Sequence, residues 1–205
     1  MTPVSGDRWK LEVMKGIGLP AMRLKPREWA LLLLYADGQS PVRGEECFHM
    51  TFFMMQVPPV SFKPLFLSFF SPELHSAIRE LVEEGLVKAV ADESAGTELY
   101  KLTERGLAEA AKLVEEVKHS WVFVGSVLAR EGSKVLGELD ALKKTYNGKD
   151  LAEWVDILIK KIDSQENILE RVFDGDEISY LKKIYKQYYK ARHTAQVLGS
   201  PKSRF

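Results

Sequence analysis

The chain has 205 residues, of which 45% are hydrophobic and 28% charged, as in an ordinary globular protein. Its 29 basic and 29 acidic residues cancel, and its single cysteine, Cys47, excludes an intramolecular disulfide. No apolar run approaches the ~20 residues needed to cross a bilayer. Because residues 1–16 also lack the apolar core of a signal peptide, we expect a cytoplasmic protein with no membrane partner.

The first part of the chain predicts three helices and one short extended segment. A short helix is expected over residues 7–15. The next helix, Pro26–Ala36, is apolar nearly all round, which predicts a central core helix, and Asp37-Gly38 ends it. Residues 39–42 are expected to be extended, and a further helix is predicted over Gly44–Gln56.

Prolines and aromatic residues crowd the segment 57–70, which cannot form a regular helix. We predict an extended, buried connection there, with room for one strand. A helix then begins at Ser71, where a hydroxyl cap, a proline and an acid follow one another, and it ends at Gly85.

Two alternating segments follow, at 86–91 and 97–102, with turn-forming residues between them. This pattern predicts a β-hairpin with an acidic tip at Asp92–Gly96. Thr103 is then placed to cap a further helix that continues to about residue 118.

The sequence of residues 119–205 predicts an entirely helical region. One or two are expected over His119–Tyr146, and Asp150 with Glu153 resembles the capping box of the next. A last helix is predicted over about Glu177–Val197, before a frayed end. The helix after Asp150 presents one apolar face, formed by Leu151, Trp154, Val155, Leu158 and Ile162.

The segment ELVEEGLVKAV…TELYKLTERG resembles the third helix and wing of the winged helix-turn-helix superfamily. The resemblance covers about residues 26–118, and the chain is also similar to predicted winged-helix proteins of archaea, from which no activity carries over. The matching residues are Leu81, Gly85, Leu86, Val87, Tyr100, Leu102, Thr103 and Gly106.

The predicted fold is therefore mainly α with a small β-hairpin wing (α+β). We expect an N-terminal helical extension over 1–25, a winged-helix domain over 26–118 and a C-terminal helical bundle over 119–205. One feature departs from a standard DNA-reading unit: about fifteen residues, rather than a tight turn, connect the second and third helices of the domain.

In a winged-helix protein the outer face of the third helix is the expected DNA reader. Here that face offers His75, Ser76 and Arg79 as candidate contacts. The same face carries three acids, which is unfavourable for phosphate contact. The alternative, a winged-helix scaffold for protein contacts, is at least as well supported as a helix that reads the major groove. The acids are Glu73, Glu80 and Glu83.

The C-terminal helix offers a second candidate nucleic-acid surface, because cations alternate with four tyrosines. The alternative is an ordinary amphipathic helix that packs its Leu181, Ile184, Tyr185 and Tyr188 face on the core or on a second subunit. The two interpretations are compatible if the tyrosines face a dimer partner. The candidate cations are Lys182, Lys183, Lys186, Lys190 and Arg192.

The chain carries no pattern that predicts catalysis, a metal site or a cofactor. Glu45 and His49 would share one face of a helix, but Cys47 would point elsewhere and could not join them as a zinc ligand. Cys47 fits no nucleophile motif, so we do not expect an enzyme. The Phe and Met residues of 48–70 are expected in the core more than in a ligand pocket.

Two functions remain open. The leading hypothesis is a DNA-binding winged-helix transcriptional regulator that acts as a homodimer through its C-terminal helices and binds double-stranded DNA with its basic ends. The alternative is a winged-helix protein–protein interaction module that does not bind nucleic acid.

Overall fold

A computed structural model describes residues 8–92, 96–124, 128–164 and 168–199 of the chain. Helices dominate, and the described strands form small sheets, so the mixed α and β character expected from the sequence is confirmed. The helices are α1 (Arg8–Gly16), α2 (Pro26–Gln39), α3 (Glu45–Phe53), α4 (Pro72–Glu83), α5 (Glu104–Lys118), α6 (Gly132–Tyr146), α7 (Leu151–Asp163) and α8 (Gly175–Gly199). The strands are β1 (Ala21–Arg23), β2 (Val42–Arg43), β3 (Lys63–Leu65), β4 (Ser68–Phe70), β5 (Val87–Asp92), β6 (Thr97–Leu102), β7 (Trp121–Val124) and β8 (Leu128–Glu131).

The chain divides into two compact units. The first unit holds Ser71–Lys149 and the described residues up to Ser61, and the second holds Phe62–Phe70 and the described residues from Asp150 onward. This division differs from the predicted boundaries at 25/26 and 118/119. The described residues before Pro26 and the residues from His119 to Lys149 belong to the first unit, because β1 pairs in parallel with β7 and α6 packs on α2.

Helix α2 is the centre of the first unit, as its sequence predicts. All six side chains from Trp29 to Leu34 are buried, and α4, α5 and α6 pack around them. The ring of Trp29 meets Phe52 of α3 edge to face, with centroids 6.3 Å apart. Helical backbone conformation ends at Ala36, followed by positive φ at Asp37 and Gly38, so the predicted stop is confirmed.

The predicted hairpin is confirmed, since β5 and β6 pair antiparallel along their whole length from Val87↔Leu102 to Asp92↔Thr97. Strand β2 extends this sheet on the other edge of β6, with Val42 opposite Tyr100. Of the predicted acidic tip, residues 93–95 lie outside the described part of the chain.

The predicted helix starts of the first unit are confirmed by their caps. The hydroxyl of Ser71 accepts from the Leu74 amide, 3.4 Å away, at the start of α4. The hydroxyl of Thr103 accepts from the Gly106 amide at 3.1 Å at the start of α5. Each satisfies one amide that a helix start leaves without an internal partner.

The expectation that residues 119–205 are entirely helical is wrong. Strands β7 and β8 form an antiparallel hairpin, with Trp121 opposite Glu131. The run Trp121–Val124 is aromatic and β-branched and its last three residues are buried, which favours a strand inside the fold. A short apolar run of this kind has no periodicity that separates a strand from a buried helix.

The segment 57–70 contains two strands rather than at most one. Strands β3 and β4 form a tight hairpin with Pro64 opposite Phe69. The prediction that the whole segment is buried is also wrong, because Leu65 and Phe66 at the hairpin end are 56% and 62% exposed.

In the second unit, α7 and α8 bury the core formed with the β3–β4 hairpin. The rings of Phe69 and Phe173 lie 5.2 Å apart between centroids. The predicted capping box at Asp150 and Glu153 is confirmed at the start of α7. A similar pair of reciprocal hydrogen bonds between Asp174 and Glu177 caps α8, which begins at Gly175. On α7, Trp154, Val155 and Leu158 are buried and Ile162 is half-buried. Leu151, at the start of the predicted apolar face, is exposed.

Candidate functional site

The outer face of α4 carries the three predicted DNA contacts, but two of them are engaged by acids. His75 Nδ1 lies 2.6 Å from Glu45 Oε1, and Arg79 Nη2 lies 3.6 Å from Glu83 Oε1. Ser76 is exposed. Exposed acids surround them, since Glu73, Glu80 and Glu83 are all on this face. The resulting surface is acidic, which opposes contact with phosphate.

Glu45 joins two histidines from two helices. Its Oε1 lies 3.1 Å from His49 Nε2 and 2.6 Å from His75 Nδ1. His49 is 3% exposed and its Nδ1 accepts from the Ser71 amide at 3.3 Å, so the proton of neutral His49 lies on Nε2 and is donated to Glu45. The sequence predicts the Glu45–His49 pair from its helical spacing, but the partner from α4 requires the fold.

The side-chain carboxylate of Glu45 is partly buried. Burial by itself would raise the pKa of Glu45, but the hydrogen bonds with His49 and His75 outweigh it and lower the pKa below its ordinary value. Within the described ranges, no group of three His, Cys, Asp or Glu side chains is placed to hold a metal ion. The arrangement therefore fixes α3 to the start of α4 through a carboxylate.

Cys47 lies apart from this cluster, as the helical spacing predicts. Its side chain is buried, and burial raises the pKa of the thiol, which disfavours the reactive thiolate form. Its Sγ lies 3.5 Å from Asn147 Oδ1 and 3.8 Å from the Thr51 hydroxyl. Phe48 and Phe52 of α3, and Met55 just after it, are core residues of the first unit.

The β5–β6 hairpin presents two cations that the sequence analysis missed. Lys88 and Lys101 are directly opposite each other in the antiparallel pair, and both are exposed. The opposite face of the hairpin is turned inward, because Val87 and Tyr100 are buried. Strand alternation gives the signal that could have found the pair, since both lysines fall on the face opposite these residues.

Helix α8 has the amphipathic character that the alternative interpretation requires. Leu181 and Tyr185 are buried, and Ile184 and Tyr188 are half-buried. The four candidate lysines are on the exposed side. They are Lys182, Lys183, Lys186 and Lys190.

Arg192, the last predicted contact on α8, is engaged within the second unit. Its Nη1 lies 2.6 and 2.7 Å from the two carboxylate oxygens of Asp156 on α7. This ion pair raises the pKa of Arg192 and joins the two helices. Arg192 is thus a structural link between α7 and α8, whereas the lysines of α8 form the cationic surface.

Among the described helices, none combines the length and apolar character that crossing a membrane requires. Comparison of the chain with known protein families, with curated proteins and with solved structures finds no match.

Proposed function

We propose that the chain is a winged-helix regulator that binds double-stranded DNA. Within the first unit, the order α2–β2–α3–α4–β5–β6 supports this, because β2 pairs with β6 beside the β5–β6 hairpin and α4 immediately precedes that hairpin. A helix that leads into such a two-stranded wing is the arrangement to which the sequence resemblance points. In this proposal α4 is the third helix and β5–β6 is the wing.

The paired lysines of the wing are the observation that carries the proposal. Lys88 and Lys101 place two cations side by side on an exposed ribbon, where a phosphate backbone can contact both. The acidic face of α4 makes it a poor major-groove reader, so phosphate contacts from the wing supply the affinity instead.

The lysines of α8 supply a second phosphate-binding surface. Lys182, Lys183 and Lys186 are exposed along one stretch of helix. The same helix exposes Tyr180 and Tyr189, which are 46% and 49% accessible and are large enough to contribute to a subunit interface. The regulator is proposed to bind as a homodimer through these C-terminal helices, which light scattering in solution would test.

Fluorescence anisotropy with labelled duplex DNA tests the proposal. At about 50 mM salt we expect binding, and at about 200 mM salt we expect it to be at least tenfold weaker. Lys88→Glu with Lys101→Glu should abolish most of the affinity, and so should charge reversal at Lys182, Lys183 and Lys186. Lys144→Glu, an exposed change on α6, is the matched control and should have little effect.

Absence of duplex binding at the lower salt would overturn the proposal. Binding that survives both sets of charge reversal would place the interface elsewhere and would equally contradict it.

A protein–protein interaction module is the second candidate, favoured by the acids of α4. Glu73, Glu80 and Glu83 form an exposed acidic surface that suits a basic protein partner. Capture of partners from host lysate with nuclease present would test it. Partners that persist after nuclease treatment and are lost on Glu80→Lys would favour this function, and loss of all partners with nuclease would exclude it.

A further inference from the structure

Asn147 and Gly148 form an Asn-Gly pair at the end of α6. A glycine after asparagine favours spontaneous deamidation, because it has no side chain to hinder attack by its own main-chain nitrogen. The chain has two asparagines, and the other, Asn167, is followed by the β-branched Ile168, which hinders the same attack. The sequence therefore makes Asn147 the residue at which the chain would be modified without an enzyme.

The chemistry of this modification consumes only water. The Gly148 nitrogen bonds to Cγ of Asn147 and the bond from Cγ to Nδ2 breaks, so Nδ2 leaves as ammonia with the proton that the Gly148 nitrogen gives up. Water then opens the cyclic succinimide at either carbonyl and yields aspartate or isoaspartate. Both products carry a carboxylate in place of the amide, and isoaspartate also lengthens the main chain by a methylene group.

The backbone conformation of Asn147 opposes this ring closure. The ring contains Cα, Cβ and the main-chain carbonyl carbon of Asn147, so the Gly148 nitrogen must come nearly eclipsed with Cβ about the Cα–C bond. At Asn147 ψ is 127°, an extended conformation in which this nitrogen and Cβ are far from eclipsed. Rotation about the Cα–C bond would also disturb the hydrogen bond from the Lys149 amide to the Tyr146 oxygen, 3.2 Å away.

The side-chain amide of Asn147 is held by two hydrogen bonds to the main chain around β2. Its Nδ2 donates to the Pro41 oxygen at 2.7 Å, and its Oδ1 accepts from the Arg43 amide at 3.0 Å. These partners flank Val42, whose side chain is fully buried. Attack at Cγ requires the amide to leave both partners and turn toward Gly148, so β2 must first separate from the end of α6.

We propose that Asn147 is a deamidation site that the fold keeps unreactive while β2 is attached to the end of α6. Reaction follows local separation of these two elements, and its rate depends on the population of that open form. The product cannot restore the attachment, because aspartate places a carboxylate oxygen opposite the Pro41 oxygen, where Nδ2 donated, and two acceptors repel. Since β2 pairs with β6, the modification detaches the strand beside the β5–β6 hairpin. The site stands whether or not the chain binds DNA.

Mass spectrometry of proteolytic peptides measures the reaction in the full chain, sampled over time in mildly alkaline buffer with and without denaturing urea. In urea we expect the mass increase of amide-to-carboxyl exchange at Asn147, and much less of it at Asn167. In the folded protein the reaction at Asn147 should be at least about tenfold slower, because opening limits it. Equal rates at Asn147 in the two conditions would overturn the proposal, and so would no reaction there in urea.

Val42→Ala tests whether separation of β2 limits the rate. Loss of this buried side chain weakens the attachment of β2, so deamidation of the folded variant should be at least about fivefold faster than in the natural chain. Leu158→Ala, which truncates an equally buried side chain of the second unit, should change the rate less than about twofold. Circular dichroism shows whether each variant is folded. A folded Val42→Ala that reacts no faster than the natural chain would contradict the proposal.

Asn147→Asp tests the consequence of the modification. It should lower the urea midpoint more than Asn147→Ala does, because alanine removes the hydrogen bonds without setting an acceptor against the Pro41 oxygen. A midpoint for Asn147→Asp equal to that of the natural chain would show that the carboxylate does not detach β2.

Discussion

The side-chain ammonium of Lys143 lies 2.9 Å from the main-chain oxygen of Ala36, at the residue where α2 loses its helical conformation. The same nitrogen donates to the oxygen of Leu34 at 3.1 Å. Lys143 is fully buried, yet neither contact is to a carboxylate. A cation from α6 therefore caps the carbonyl end of the central helix, where main-chain acceptors have no helical partner.

This burial predicts a pH effect. Desolvation lowers the pKa of Lys143 to about 8, whereas in the unfolded chain it is about 10.4. Between these values the unfolded state holds more protons, so Lys143 makes stability rise with pH, and below about pH 8 its contribution is constant. In Lys143→Met this part of the pH dependence should disappear.

Urea unfolding of the natural chain and of Lys143→Met between about pH 7 and pH 10 tests this prediction. The free energy of unfolding of the natural chain minus that of Lys143→Met should increase with pH, because other groups that titrate in this range cancel in the difference. Lys144→Met, an exposed neighbour, should give a flat difference. A flat difference for Lys143→Met as well would show that the ammonium is not desolvated.

Gly106 of α5 lies where a larger side chain would not fit. A Cβ at this position would lie 1.9 Å from the main-chain oxygen of Leu86, so α5 contacts the start of β5 at a distance that only glycine permits. We expect Gly106→Ala to destabilise the protein by at least about 2 kcal/mol, because α5 must shift.

The matched control is Gly137→Ala on α6, where a Cβ meets nothing within 4 Å. There alanine should stabilise the protein by about 0.5–1 kcal/mol, through its better helix propensity. Urea midpoints of the two variants should therefore move in opposite directions. Equal shifts would refute the close approach of α5 to β5.

Helix starts could be predicted from the sequence because their signals are local. Ser71, Thr103 and Asp150 each accept from the amide three residues later, so the residue types within one turn suffice. The β5–β6 hairpin is local in the same sense, since alternation and a turn specify it.

Pairings between distant segments could not be predicted in this way. Strand β1 pairs with β7, although about half of the chain separates them. The residues around Trp121 do not distinguish a strand from a buried helix, because they form a continuous apolar run in which apolar and polar residues do not alternate. The sequence therefore predicts the helices and the β5–β6 hairpin of residues 26–118, but it does not predict the hairpins β3–β4 and β7–β8.

The same distinction applies to the candidate sites. Helical spacing is enough to place the lysines of α8 outside and Tyr185 inside. That Glu45 reaches His75 on another helix depends on tertiary packing. The pairing of Arg192 with Asp156 on α7 could not be predicted for the same reason.

The Glu45 cluster predicts sensitivity to acid. The pKa of Glu45 is lowered in the folded protein, so its contribution to stability is present above the unfolded value of about 4.3 and is lost as the pH falls through the folded value. Glu45→Gln should cost about 1–2 kcal/mol near pH 7.

The measurement is the free energy of unfolding of both proteins from about pH 7 to pH 3. The difference between them should shrink on the acid side, where the carboxyl of the natural chain becomes protonated. Glu80→Gln, an exposed acid on α4, is the control and should leave the free energy within about 0.5 kcal/mol. A difference that stays constant to pH 3 would mean that Glu45 is not stabilised as the anion.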